Sequence, residues 1–78
     1  MPHFSYVATN KKILVIIGNN IRKIRKTQKM SQSQLAFEAG VTREFINKLE
    51  TGKYNVSILT LEKISTILET EISNLLKE

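Results

Sequence analysis

The sequence predicts an all-α protein, a compact five-helix bundle, on three observations. Apolar residues recur at three- and four-residue spacing along most of the chain, which is the period of a helix with one buried face. Ser, Thr, Asn or Gly stands where the periodic segments begin or end, as helix caps do. The 78 residues include no cysteine, so no disulfide framework can replace a packed core. A core of this size is marginal, and we therefore expect a dimer.

The first helix is expected over about 11–28, with Asn10 as its N-cap. Its buried stripe repeats at helical spacing through Leu14, Ile17, Ile21 and Ile24. Residues 1–10 show neither periodicity nor a cap, and we expect a flexible N-terminal arm there. An arm that follows a groove or packs on a partner subunit is the alternative. Residues 11–78 then form one domain that ends in a dimerisation helix.

Residues 31–52 read SQSQLAFEAGVTREFINKLETG and predict two short helices joined by a tight glycine turn. Ser31 is the expected N-cap of the first, and Gln34 follows at the spacing of a capping box. The apolar positions of this helix are Leu35, Ala36 and Ala39. Gly40 ends the helix because glycine adopts a left-handed backbone without steric strain, and Val41 anchors the turn.

The second short helix, capped by Thr42, separates into two faces at about 100° per residue. Its apolar face carries Phe45, Ile46 and Leu49, and its polar arc carries Arg43, Glu44, Asn47 and Lys48. Arg and Lys bind guanine in the major groove, Asn binds adenine, and Glu accepts a hydrogen bond from cytosine. A solvated charged face is the ordinary alternative. The capped helix before it, the glycine turn and the basic surroundings favour a DNA-reading helix-turn-helix instead.

A polar loop and two further helices complete the predicted bundle. The loop offers three side chains to DNA phosphates, namely Lys53, Tyr54 and Asn55. Ser57 caps the fourth helix, expected over about 58–68, whose inward residues are Leu61, Ile64 and Leu68. The last helix, about 71–77, is too apolar for a solvent-facing tail because it carries Ile72, Leu75 and Leu76. These three either close the core or form the dimer interface, and we expect both.

Charge and composition narrow the classes of function. Residues 1–53 carry a net charge of +7 and residues 54–78 a net charge of −2, which suits a polyanion that meets one end of the molecule. Charge alone does not separate DNA from RNA or an acidic membrane. The chain has no cysteine or aspartate, and its one histidine is His3, so we expect no metal, no cofactor and no enzymatic activity. The longest apolar run, Ile13 to Ile17, is far shorter than the ~20 residues that span a bilayer. A chain without cysteine is compatible with a reducing cytoplasm, where we expect it.

From Gly18 to Leu76 the sequence resembles the phage-repressor and Cro-like helix-turn-helix family, also called the xenobiotic-response-element family. The pattern GNNIRKIRKTQKMSQSQLAFEAGVTREFINKLETGKYNVSILTLEKISTIL follows that family position by position. Within it, the Arg43-Glu44-Phe45-Ile46 run is similar to that of the controller proteins of restriction–modification systems. The resemblance implies that Gln32 contacts a DNA phosphate at a positive helix N-terminus. It also implies that the polar arc reads bases, that the loop follows the DNA backbone, and that Arg25 and Glu50 form a partly buried pair.

Two departures from the family pattern stand out. Val56 occupies a position where many relatives have Pro, and the segment before Gly18 is longer than in compact relatives. Glu44 either reads cytosine, pairs with Arg43 or Lys48, or discriminates against wrong sites.

The function expected from this resemblance is a homodimeric, sequence-specific transcriptional regulator that binds double-stranded DNA at a pseudo-palindromic operator. One rival is an antitoxin, which would bind a toxin through Phe4, Tyr6 or the last helix. Another is an adaptor that contacts RNA polymerase or another protein without reading DNA. The polar arc argues against the adaptor.

Overall fold

The computed structural model describes residues 3–78, with side chains from Lys12 onward. Five helices and no strand lie in this range, so the predicted all-α five-helix class is confirmed. The helices are α1 His3–Thr27, α2 Gln32–Ala39, α3 Arg43–Glu50, α4 Ile58–Ile67 and α5 Ile72–Leu75. Helix α1 packs on α3 and α5, α2 packs on α3 and α4, and α4 packs on α5. Within residues 3–78 no helix has both the length and the apolar character needed to cross a membrane.

One core cluster joins all five helices. Its buried members are Ile17, Ile21, Leu35, Ala36, Ile46, Leu49, Leu61, Ile64, Leu68 and Leu75. The predicted stripe of α1 lies against this core, with its two central residues buried and Leu14 and Ile24 half-buried at its edges. Each large apolar side chain removed from water in this way contributes roughly 1.5–3 kcal/mol before the cost of ordering the chain.

The helix N-termini follow the predicted local signals. Three hydroxyl groups accept the backbone N–H three residues further on, at 2.9, 3.0 and 3.1 Å, and they belong to Ser31, Thr42 and Ser57. The second half of the predicted capping box is wrong, because the Gln34 side chain does not turn back to Ser31. Its amide donates instead to the Glu38 carboxylate at 2.6 Å, a charge-assisted bond between residues one helical turn apart.

Helix α1 begins earlier than predicted. The helical backbone starts at His3 and runs through Asn10, so the assignment of Asn10 as an N-cap and a start near residue 11 are wrong. No proline or glycine lies between His3 and Ile17, and extending an existing helix adds one hydrogen bond for each residue fixed. The flexibility of residues 1–10 stays a prediction, and the side chains of Phe4 and Tyr6 lie outside the described residues.

Helix α5 is shorter than predicted and ends at Leu75 rather than near residue 77. The Asn20 side-chain amide, on α1, donates to the carbonyl oxygen of Leu75 at 2.9 Å and to that of Lys77 at 2.7 Å. These bonds give both carbonyl groups a partner on α1, outside α5. The end of α5 is therefore fixed from α1 rather than by its own sequence.

Two glycines position helix α3. Gly40 ends α2 with φ at +72°, and the Val41 N–H donates back to the Ala36 carbonyl at 3.0 Å, which completes the predicted turn. Gly18, inside α1, lies where a Cβ atom would stand 2.5 Å from the Leu49 carbonyl oxygen and 2.6 Å from that of Glu50. Only a residue without a side chain lets the α1 backbone approach the end of α3 this closely.

Candidate nucleic-acid interface

Helix α3 is buried on one face and exposed on the other, as its sequence predicts. Ile46, Leu49 and Glu50 are buried against the rest of the domain. The four residues of the polar arc are exposed, namely Arg43, Glu44, Asn47 and Lys48. The helix therefore presents a hydrogen-bonding surface to solvent while its rear face is held by the core.

Glu44 stands at the N-terminal end of this surface. The ion pairs found among the described residues are Lys12 with Glu78 and Arg25 with Glu50, so Glu44 is paired with neither Arg43 nor Lys48 in the free protein. A carboxylate in the first turn of a helix is favoured by the positive end of the helix dipole. Of the three predicted roles, reading cytosine and discriminating against wrong sites stay predictions.

The pair that the resemblance implied, Arg25 with Glu50, is present and buried. Arg25 donates from Nε to Oε2 of Glu50 at 2.5 Å and from Nη2 to Oε1 at 3.0 Å. Its Nη1 donates to the Met30 carbonyl at 2.7 Å. The residues are 6% and 4% exposed, so this two-bond contact ties α1 to the end of α3 away from solvent.

Gln32 lies in the first turn of α2, next to α3. Its side-chain amide nitrogen donates to the Asn47 side-chain oxygen at 3.3 Å and to Oε1 of Glu50 at 3.0 Å. In the free protein the Gln32 amide nitrogen is therefore engaged by two acceptors on α3. The contact from Gln32 to DNA stays a prediction.

The loop after α3 is exposed at the three residues predicted to contact phosphates, Lys53, Tyr54 and Asn55. The Tyr54 ring packs edge-on against Phe45, with ring centroids 4.7 Å apart and an interplanar angle of 65°. This aromatic contact holds the loop beside α3, and the sequence reasoning missed it. Val56, in place of the family's Pro, is half-buried and packs against the core.

Exposed basic residues lie on α3 and on elements that contact it or follow it in the chain. They are supplied by α1, by the turn after it, by α3 and by the following loop, and they comprise Arg22, Lys23, Lys26, Lys29, Arg43, Lys48 and Lys53. No cluster of three or more possible metal-ligating residues occurs in the described part of the chain. The surface is suited to binding a polyanion through charge and hydrogen bonds.

The predicted dimer residues separate into different environments. Leu75 is completely buried in the core, Ile72 is half-buried, and Leu76 is 47% exposed. Leu75 therefore closes the monomer and has no surface to offer a partner, which corrects its assignment to the interface. The sequence reasoning missed Ile58 and Leu59, which are 66% and 74% exposed. The sequence does contain a signal for these two residues, because they are apolar and lie in the first turn of α4 outside its buried stripe.

A groove of about 600 Å³ runs between α4 and α5 and includes these two exposed residues and Ile72. It lies in the part of the chain that carries the net negative charge. Phe37, on α2, is a further exposed apolar residue, at 83%, that the sequence reasoning did not single out.

The chain is similar in sequence to known helix-turn-helix proteins. A model of the helix-turn-helix family HTH_3 matches residues 21–75. Control protein C.BamHI of Bacillus amyloliquefaciens is 40% identical over 65 residues, which cover 82% of this chain and 80% of that protein. The immunity repressor of Bacillus phage phi105 is 36% identical over 62 residues, 80% of this chain. The chain spans only 43% of that repressor's length.

Solved structures give the same family. The restriction–modification controller protein C.AhdI from Aeromonas hydrophila superimposes with a TM-score of 0.79 at 33% identity, over 85% of this chain and 96% of that chain. A hydroxypropylphosphonic acid epoxidase from S. wedmorenis also superimposes, with a TM-score of 0.82 at 25% identity, but over only 36% of its own chain. The resemblance found in the sequence is confirmed, and the chain belongs to the HTH_3 helix-turn-helix family.

Proposed function

We propose that this chain is a sequence-specific DNA-binding transcriptional regulator that acts as a homodimer, as a restriction–modification controller protein does. The observation that carries the proposal is the polar arc of α3, whose four residues are all exposed on a helix fixed from behind by the core. Membership of the helix-turn-helix family and the similarity to C.BamHI support it. A DNA partner implies a cytoplasmic protein.

In this proposal α3 enters the major groove and its polar arc contacts base edges. Lys53, Tyr54 and Asn55 lie along the sugar-phosphate backbone beside it and set the register of the protein on the DNA. The exposed basic residues of α1 and of the turn after it add charge-driven affinity that does not depend on sequence.

The dimer interface we propose is the groove between α4 and α5. Its exposed apolar residues are Ile58 and Leu59, and the half-buried Ile72 also lines it. Leu76 is exposed but does not line this groove, and its part in a dimer stays a prediction. A second copy of the chain is the proposed occupant, because the groove belongs to the acidic end of the chain sequence and leaves the basic reading surface free. Two reading helices in one dimer would reach half-sites about 34 Å apart on one face of the duplex.

We also propose that the chain acts by binding rather than by catalysis. Two relatives that are matched over 80% and 90% of their own length are named control proteins. The epoxidase is matched over about a third of its chain, so the likeness concerns one domain of that enzyme and carries no activity over to this chain.

A second candidate function, contact with another protein on DNA, is favoured by Phe37. Its ring is 83% exposed on α2, and phenylalanine is among the residues enriched at protein–protein interfaces. RNA polymerase or a toxin is the partner class expected. Phe37→Ala should leave operator binding unchanged and weaken transcription activation or toxin binding. If Phe37→Ala changed neither transcription activation nor toxin binding, this candidate function would be ruled out.

The experiment that tests the main proposal is selection from a random duplex library at about 150 mM salt, with scrambled DNA as competitor. We expect a symmetric motif with one fixed half-site spacing. Failure to enrich any motif would leave only charge-driven binding and would contradict the proposal.

Two variants separate base reading from phosphate binding on the selected site. Arg43→Ala should lose discrimination worth roughly 1–3 kcal/mol at one base pair. Lys53→Ala is the matched control, because it also removes one exposed positive charge but should weaken all sequences alike and lower the salt slope by about one. Equal losses on specific and scrambled DNA for Arg43→Ala would contradict its base-reading role.

A further inference from the structure

The side chain of Gln32 connects the buried interior of the domain to the exposed reading surface. Its amide nitrogen donates one hydrogen bond inward, to Oε1 of Glu50, and one outward, to the side-chain oxygen of Asn47. Glu50 is 4% exposed, whereas Asn47 is exposed. A single half-buried residue of α2 therefore touches both a fixed group and a surface group of α3.

The inner end of this connection is held firmly. Both carboxylate oxygens of Glu50 accept hydrogen bonds from the Arg25 guanidinium, and the planar fork of an arginine fixes the plane of the carboxylate that it binds. The bond from Gln32 to this carboxylate, at 3.0 Å, is the shorter of its two bonds. The position of the Gln32 amide is thus set by the ion pair and not by solvent.

The outer end determines how Asn47 faces the DNA. Its oxygen Oδ1 accepts the bond from Gln32, so its nitrogen Nδ2 is the amide group directed away from Gln32. An exposed asparagine without such a contact can turn its oxygen or its nitrogen outward, because the two orientations of an amide are nearly equal in shape. The bond is long, at 3.3 Å, and we therefore expect a bias of moderate size.

We propose that Gln32 is a positioning residue for Asn47 and presents the Asn47 amide to the major groove as a hydrogen-bond donor. The base edge at this position is then an acceptor, namely purine N7, guanine O6 or thymine O4. The role rests on the proposed DNA reading by α3. It differs from the phosphate contact predicted for Gln32, which would hold the protein to DNA of any sequence.

The test compares Gln32→Met with Asn47→Ala on the motif obtained by selection, with every base pair of the half-site varied in turn. Methionine keeps the length of the glutamine side chain but cannot donate a hydrogen bond. We expect both variants to lose preference at the same base pair, by about three- to tenfold for Gln32→Met. The double variant should lose no more than Asn47→Ala alone, because Gln32 acts through Asn47.

Ser33→Ala is the matched control, since Ser33 is the exposed neighbour of Gln32 in the same turn of α2. It should leave base preference unchanged. Thermal unfolding should show that all variants remain folded. A uniform loss on all sequences for Gln32→Met would overturn the positioning role and favour a phosphate contact, while the proposed function would still stand. No change, or a change at a different base pair, would overturn it too.

A second measurement does not require DNA. In the free protein the side-chain amide resonances of Asn47 should shift in Gln32→Met and stay in place in Ser33→Ala, as followed by ¹⁵N-resolved NMR. Unshifted Asn47 resonances in Gln32→Met would overturn the inference even where no DNA motif is found. Failure of the selection with a shifted Asn47 would instead contradict the reading of DNA.

Discussion

Replacing Glu50 by Ala should remove a large part of the stability of this protein. The substitution leaves the Arg25 guanidinium at 6% exposure, with the Met30 carbonyl as its remaining partner among the described residues. Removing one member of a buried ion pair costs about 3–5 kcal/mol, because the other charge stays buried without compensation. A domain of 78 residues has a free energy of unfolding of roughly 4–12 kcal/mol in total. The loss should therefore bring the variant close to unfolding.

The assay is urea unfolding followed by circular dichroism, at a fixed protein concentration because a dimer's stability depends on it. We expect the midpoint to fall strongly while the slope stays constant. Glu78→Ala is the matched control, since it also breaks an ion pair, with Lys12 at 3.1 Å. The side chains of Lys12 and Glu78 are 67% and 68% exposed, and such surface ion pairs contribute about 0–1 kcal/mol to the free energy of unfolding.

A third variant separates the pair's net contribution from the cost of an orphaned charge. The double substitution of Arg25 by Met and Glu50 by Leu removes both charges and keeps similar volume, so most of the lost stability should return. If Glu50→Ala and Glu78→Ala lost the same small amount, the claim that the buried pair fixes the end of α3 would be wrong. A double variant no more stable than Glu50→Ala would show that packing, not burial of charge, accounts for the loss.

Two further predictions concern packing and assembly. Gly18→Ala should gain about 1 kcal/mol of helix propensity but lose about 2–3 kcal/mol from overpacking against backbone carbonyls that cannot rotate away. We therefore expect urea unfolding to show a lower free energy of unfolding for Gly18→Ala and no such decrease for the control Lys23→Ala, at an exposed position of the same helix. Leu59→Lys should convert the proposed dimer to a folded monomer in sedimentation experiments. Leu59 is 74% exposed in one chain, and a lysine there would have to be buried in the proposed interface. A dimer that persists in Leu59→Lys would contradict the proposed groove, and Phe37→Lys serves as the control.

The parts of the fold that depend on neighbouring residues could be predicted from the sequence. The caps at Ser31, Thr42 and Ser57 and the turn at Gly40 involve bonds that span three to five residues, so their signals lie within one window. The two faces of α3 follow from helix geometry alone. Asn10 shows where this reasoning fails, because a residue suited to a cap also fits inside a helix when nothing stops the helix from extending.

Contacts between distant residues could not be predicted in the same way. The end of α5 depends on Asn20, which lies 55 residues before Leu75. Whether Leu75 or Leu76 is buried depends on the direction in which α5 meets α1, and periodicity over one short helix does not give this. Gln32 is the clearest case, since its residue type suits a phosphate while its amide protons bind α3. The resemblance to a family supplied the Arg25 and Glu50 pair, which spacing alone would not have revealed.

The geometry of α3 should allow stability and the proposed base reading to be changed separately, except at Glu50. Substitutions in the exposed arc, such as Arg43→Ala, touch no core contact and should alter DNA recognition without unfolding the protein. Gly18 lies behind the helix and is expected to affect mainly stability. Glu50 should affect both stability and DNA recognition. It is paired with Arg25 in the interior, and it accepts a hydrogen bond from Gln32, the residue that also contacts Asn47. In the double variant that removes both buried charges, stability should therefore return while base preference at the Asn47 position does not, since leucine cannot hold the Gln32 amide.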